Sequence, residues 1–176
     1  MRENNDLKMS LDEIRNRIDI LKWDWDNLYT TNCYAYALGL DIPENDICKY
    51  AYDPGTISKS FPLYIPYSYN QLINNVLADL EILNIEHRFI HPSDSILPDE
   101  WKIAIFIPKI YSLYQLEDYH FIRQRNDGLW YYKNGITGPI SNLDTYDQFI
   151  TDPTTCFFKE YMYTDSLCLK LKKPGN

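Results

Sequence analysis

Nowhere does the chain approach the roughly 20 consecutive apolar residues that cross a bilayer, so no membrane-spanning helix is expected. It also lacks a cluster of Lys and Arg. With a formal net charge of -8, the electrostatic footprint of a nucleic-acid binder is missing. The one basic run, "KLKKPG" from Lys170 to Gly175, is short and reads as a solvated tail. No apolar h-region follows the opening "MRENNDLKMS", which points to a cytoplasmic protein or to one delivered into a host cell without a cleaved signal. CxxC and HExxH spacings are absent and histidines number three, so neither a metal site nor a cofactor is expected. Without export, Cys33, Cys48, Cys156 and Cys168 read as free thiols rather than a disulfide framework.

What the chain does have is aromatic side chains: sixteen Tyr, seven Phe and four Trp, a supply for cores and interfaces. Hydrophobic residues at 45% and a length of 176 suit a single domain over residues 1–176. Ser10 with Glu13 forms a capping box, and Leu11, Ile14, Ile18 and Leu21 recur at helical spacing, predicting a helix over about 11–22. A second, short helix begins at Cys33, with Asn32 as N-cap and Gly39 just past its end. From Leu40 to Pro66 an irregular excursion is expected, after which Ser68 caps a helix over "YNQLINNVLADLEIL". The period then changes to two. Strands are predicted at 86–90, 102–108, 119–124, 129–133 and 166–172, giving an α+β fold in which helices precede a meandering antiparallel sheet.

Cys33 is the residue of chemical interest. A free cysteine is most often a small buried hydrophobe. At the first turn of a helix, however, the unpaired N–H groups and the macrodipole favour the thiolate, which is the nucleophile. The same groups hydrogen-bond the oxyanion formed when a carbonyl is attacked. A base is then required, and of His87, His91 and His120 the last is best placed, in the alternating strand "YHFIRQ". "RNDG" predicts a three-residue hairpin loop ending in a left-handed Gly128. Gln124 then opposes Trp130, Ile122 opposes Tyr132, and His120 opposes Asn134. Tyr132 and Asn134 thus share the face of His120, and either is a candidate to orient the imidazole. A two-residue loop would reverse that parity. Besides the backbone N–H of Cys33, candidate oxyanion or substrate-binding donors are Asn27, Tyr29 and Asn32. The plainer readings stand beside these: Tyr132 as packing, Asn134 before Gly135 as a turn former, Arg123 and Arg125 extending to solvent or, for Arg123, meeting a substrate carboxylate. The cluster Trp23, Trp25 and Tyr29 reads as core or as the wall of a substrate groove.

"TNCYAYALG" and "DYHFIRQRNDGLWYYKNGITGPISNLD" resemble a group of bacterial and phage proteins in the papain-like cysteine hydrolase superfamily, near its NlpC-type branch. Those proteins carry "NCYAYA" early, a block like "DYHFYRQDSDGTWSHKPG" later, then an asparagine-aspartate segment and a "DP". The matching positions here are Asn32 to Ala37, Asp118 to Gly135, Asn142 with Asp144, and Asp152-Pro153, while 40–115 matches little. The resemblance implies a papain-like fold, a helix-borne cysteine packed on an antiparallel β-sheet. It implies Cys33 as nucleophile and His120 as base in a thiol peptidase or amidase acting on a peptide or isopeptide bond through an acyl-enzyme, with transamidation or deamidation as variants. The chain departs from the pattern where a second histidine falls on Tyr132 and a proline on Asn134. That departure admits a rival expectation, a catalytically weak or inactive papain-like binding module such as a phage or viral antagonist of a host protein.

Overall fold

The computed structural model describes residues 10–19, 31–40, 52–60, 67–109, 116–135 and 138–172. Trp23, Trp25, Asn27, Tyr29 and Cys48 lie outside these residues, as does most of the excursion expected between Leu40 and Pro66. The described elements make an α+β fold. Three helices, α1 (Leu11–Asn16), α2 (Cys33–Leu38) and α3 (Tyr69–Ile82), precede strands β1 (Ile85–Ile90), β2 (Glu100–Pro108), β3 (His120–Gln124), β4 (Trp130–Lys133), β5 (Ile140–Ser141) and β6 (Tyr161–Leu171). All adjacent strands run antiparallel in the order β1-β6-β2-β3-β4-β5.

Caps set the helix starts as the sequence predicts. Ser10 and Ser68 form complete capping boxes with Glu13 and Gln71. Asn32 accepts the Ala35 N–H at 2.8 Å, and Gly39 closes α2 at φ 74°. A side chain is strained there twice over. An added Cβ would meet Arg123 Nη1 at 2.9 Å and the Asp19 carbonyl oxygen at 3.2 Å, besides the left-handed φ.

Helix α1 ends well before residue 22. Arg17 is its C-cap, Ile18 pairs with Leu40 in an isolated antiparallel bridge, and the Asp19 N–H donates to the Gly39 carbonyl at 2.9 Å. Pairing with the chain leaving α2 overrides the helical period. Strand β6 begins at Tyr161, five residues before the expected start. It lies between β1 and β2, and a β-bulge beside Ile105 and Phe106 lets its first half pair with the end of β2. The short β5 was not expected.

Each face of the sheet has its own apolar layer. On one, α1, α2 and α3 contribute Ile14, Tyr34, Ala37, Leu38, Leu72, Val76 and Leu80 against Ile103, Ile105, Phe121 and Leu167. On the other, Ala104, Phe106, Ile122 and Trp130 pack against Ile150 and Phe158 from the segment between β5 and β6. Every residue of β2 is buried, as suits a strand covered on both sides. The alternation in β3 is the fact that governs the site: Phe121 faces the helices and Ile122 faces away.

Candidate active site

The hairpin closes in the predicted register. Gln124 pairs with Trp130 and Arg123 with Tyr131, the Gly128 N–H donates to the Arg125 carbonyl at 3.0 Å, and Gly128 takes φ 83°. His120 and Tyr132 accordingly share a face, their ring centroids 5.0 Å apart and edge-on. Phe158 adds an edge at 5.3 Å and Tyr161 stacks at 5.3 Å, so the imidazole sits in an aromatic seat at 5% exposure. Burial drives its pKa down to about 4, leaving a neutral ring. The Tyr161 hydroxyl in turn donates to the Asp118 carboxylate.

Cys33 occupies the first turn of α2, on the helix side of the sheet, at 6% exposure. Burial pushes its thiol up to about 12. The backbone N–H groups of Phe121 and Tyr34 pull the other way, and the charges of Asp118 and Asp53 add to the rise. With six residues, α2 is too short for its macrodipole to dominate, so individual N–H groups supply the favourable field. The Phe121 N–H belongs to the peptide group that joins it to His120. Cys33 and His120 are therefore neighbours across the backbone of β3, but the sulfur and the ring lie on opposite faces. Among the described residues no hydrogen bond joins them.

The expected orienting groups are placed differently from one another. Tyr132 stands beside His120, yet its hydroxyl donates to the Leu143 carbonyl at 3.0 Å, so it offers the imidazole a ring edge and no hydrogen bond. Asn134 is exposed, its carbonyl accepting the Gly138 N–H at 3.0 Å, and among the described residues no hydrogen bond joins it to the ring. Asn32 spends its side-chain oxygen on the α2 cap, and its amide donates to the Tyr52 carbonyl at 3.4 Å. Arg123, expected in solvent, is fully buried on the helix side and donates to the Tyr36 carbonyl at the end of α2. Burial lowers it to about 9 against the charges of Tyr36 and Asp19. Arg125 lies over the Tyr131 ring, 4.4 Å from its centroid. His87 is exposed on β1, and His91 is exposed just past its end, held to Ser93 at 2.7 Å.

Other groups converge on the sulfur that sequence reasoning did not select. The Tyr119 hydroxyl donates to Asp53, and the Tyr67 hydroxyl is buried with no partner among the described residues. Lys133 is fully buried on the helix side. The parity that places Phe121 inward also places Tyr119 and Lys133 there, so the hairpin register already carried that signal. Among the described residues no group of three or more His, Cys, Asp or Glu side chains is arranged to hold a metal ion.

No family model, curated protein or solved structure matches the chain. Cys33, Cys156 and Cys168 are free thiols, and among the described residues no helix is long and apolar enough to cross a membrane. The motif residues after the hairpin have a structural role. Asp144 accepts the N–H groups of Tyr146, Gln148 and Phe157 at 2.9–3.1 Å, and Asp152 accepts that of Thr154 at 2.8 Å. Together they shape the segment that lays Phe158 over His120.

Proposed function

We propose that the chain is a cysteine-dependent hydrolase of papain-like fold, with Cys33 as nucleophile and His120 as base, cleaving a peptide or isopeptide amide. The observation that carries this reading is the seat of the sulfur. A thiol at the head of α2 meets the peptide N–H that follows His120, although the two residues are remote in the chain. That N–H and the Tyr34 N–H are fixed donors for negative charge on sulfur.

In the reaction, the backbone at the head of β3 must rearrange as substrate enters, because side-chain torsions alone do not carry the imidazole from the face of Tyr132 and Phe158 to the face of the sulfur. The neutral ring takes the thiol proton while sulfur attacks the carbonyl carbon. The tetrahedral oxyanion collapses, the imidazolium gives its proton to the leaving amine, and a thioester remains. Water adds to the thioester with His120 again as base and releases the acid. A neutral thiol and a neutral imidazole suit this order, since charge appears only when substrate is present. Peptide and isopeptide libraries assayed with wild type and Cys33→Ser test it. Wild type is expected to release product through an acyl-enzyme visible as a mass adduct on Cys33. Cys33→Ser is expected to lose at least about 100-fold in rate. Equal product from both proteins contradicts the reading.

One observation favours the second reading, a non-catalytic module on the same scaffold: the thiol is buried and its pKa displaced away from the thiolate. On that reading Cys33 is an inert core residue of α2, and the acidic surface of this tyrosine-rich chain is what meets a protein partner.

A further inference from the structure

We infer that β1, the outer edge of the sheet, pairs antiparallel with β1 of a second copy of this chain, joining two sheets across a two-fold axis at His87. The inference goes beyond the hydrolase reading and stands without it. Strand β1 ends the strand order, and its neighbour β6 pairs with it without a break from Ile85↔Leu171 to Ile90↔Ser166. The Lys172 N–H donates to the Asn84 carbonyl at 3.1 Å, which fixes the phase of that ladder. Glu86, Arg88 and Ile90 therefore spend their N–H and C=O groups on β6, and those of Ile85, His87 and Phe89 point off the sheet. Past them, the His91 N–H donates to the Asp94 carboxylate at 2.8 Å, so the open stretch ends with Phe89. Residues 86–89 are exposed, Phe89 at 52%, and the His87 ring lies 3.5 Å from the Ile85 carbonyl.

An edge of outward N–H and C=O groups is a template for another strand, and monomers blunt it with lysine, proline or a bulge. Strand β1 has none of the three. Its own residues select the partner and the register. Outward groups meet outward groups only when odd-numbered positions face one another. Setting His87 opposite His87 of the second copy puts Ile85 across from Phe89 and Glu86 across from Arg88. Unlike charges then oppose each other on one side of the joined sheet. On the other side the exposed Phe89 ring gains an apolar neighbour, where Ile85 already enters the helix-side core. The Glu86–Arg88 pairs fall at the closely spaced, non-hydrogen-bonded positions, where side chains are nearest. Sliding the partner two residues either way sets Glu86 against Glu86 or Arg88 against Arg88, which is unfavourable. Within its own chain Glu86 faces Lys170, but that ammonium is bridged to Asp99 at 2.9 Å. Arg88 is bridged to Glu100 at 2.5 and 2.9 Å, yet its side chain is 50% exposed, with an open side for a second carboxylate.

Sedimentation velocity of the full chain reads the association. Each copy carries a net charge of -8, so salt of about 0.15 M is used to screen the general repulsion. A monomer–dimer equilibrium in the micromolar range is expected, since edge pairing through about six backbone hydrogen bonds makes a small interface. A chain that stays monomeric to about 0.5 mM leaves the edge to a strand of some other protein and overturns the inference. Amide hydrogen exchange on the wild type locates the contact. The His87 and Phe89 amides are expected to slow about fivefold once most of the chain is dimeric, while Glu86 and Arg88, already bonded to β6, change little. A dimer that protects other amides and not these overturns the inference. His87→Pro, which removes an outward N–H that the β6 ladder does not use, is expected to abolish the dimer and keep the monomer folded. Undiminished association of that variant has the opposite meaning. Charge reversal tests the register: Glu86→Arg and Arg88→Glu alone are each expected to weaken association about tenfold. Their equimolar mixture should form a mixed dimer about as tight as wild type, because every Glu86–Arg88 position then holds unlike charges again. A mixture no tighter than either variant alone overturns the inference. Where Arg88→Glu does not fold beside Glu100, the wild-type exchange pattern and Glu86→Arg still decide.

Discussion

Replacing Asp79 with alanine is expected to remove about 3–5 kcal/mol of stability, the cost of deleting the shared acceptor of a buried hydrogen-bond network. Asp79 projects from α3 and is fully buried. Its two oxygens accept the Gly55 N–H at 2.7 Å, the Ser58 N–H at 2.7 Å and the Tyr34 hydroxyl at 3.1 Å. Burial raises its pKa, while those donors act to lower it. One carboxylate therefore fastens the 52–60 segment and α2 to α3, and Asp53 beside Cys33 belongs to that segment. Alanine leaves three buried donors without an acceptor, each worth about 1–3 kcal/mol when orphaned, although the loop relaxes to recover part of it. Asn keeps one acceptor and should cost roughly half as much. Urea unfolding reads both: the midpoint falls while the slope stays the same if the native state alone is affected. A loss below about 1 kcal/mol for alanine would show that water replaces the carboxylate and that the knot does not hold the site.

Acidification should destabilise the fold through His120. Its pKa falls from 6.5 in the ordinary state to about 4 when buried in the aromatic seat. Between these values the unfolded chain holds a proton that the folded chain does not, so stability drops as pH falls. Above pH 6.5 both states are neutral at this residue and the contribution is complete. By pH 4 about 3 kcal/mol is lost to this one group. Carboxylates titrate in the same range, so the comparison that isolates the histidine is with His120→Phe. Phenylalanine keeps an aromatic ring among Tyr132, Phe158 and Tyr161, and its stability curve should lack this component from pH 6.5 to 4. Parallel curves for the two proteins would mean that the imidazole is solvated, or already turned out of its seat.

The site was legible in the sequence to the extent that local chemistry controls it. Asn32 and Gly39 bracket α2 because a side-chain acceptor and a left-handed residue are local requirements, so Cys33 could be placed at the head of a helix before any tertiary contact was known. "RNDG" fixed the hairpin register because Gly128 needs a positive φ and little else. The fold class followed from the change of period after α3. Other features depend on contacts distant in sequence. Helix α1 stops at Asn16 because Ile18 finds Leu40, a pairing its own periodicity does not contain. Early β6 is recruited by the end of β2 through a bulge.

The face of His120 was the harder matter. Register correctly grouped it with Tyr132, but period-two patterning cannot say which side α2 will cover when both sides of a strand are apolar. The answer is carried by Phe121, which packs on Tyr34 at 4.9 Å and turns its neighbour the other way. Arg123 reads as a solvent group on the strength of charge alone, and Lys133 draws no expectation, whereas the same parity sends both inward beneath α2. Buried cations of this kind are where expectation from residue type fails, since each is tolerated for what it faces.

The most direct measurement on the central claim is covalent capture of Cys33 by peptide-based electrophiles, comparing wild type with His120→Ala at neutral pH. The hydrolase account predicts adducts concentrated on Cys33 over Cys48, Cys156 and Cys168, with capture in His120→Ala slower by about 100-fold. Equal capture by the two proteins, or no preference for Cys33 over the other thiols, would contradict it.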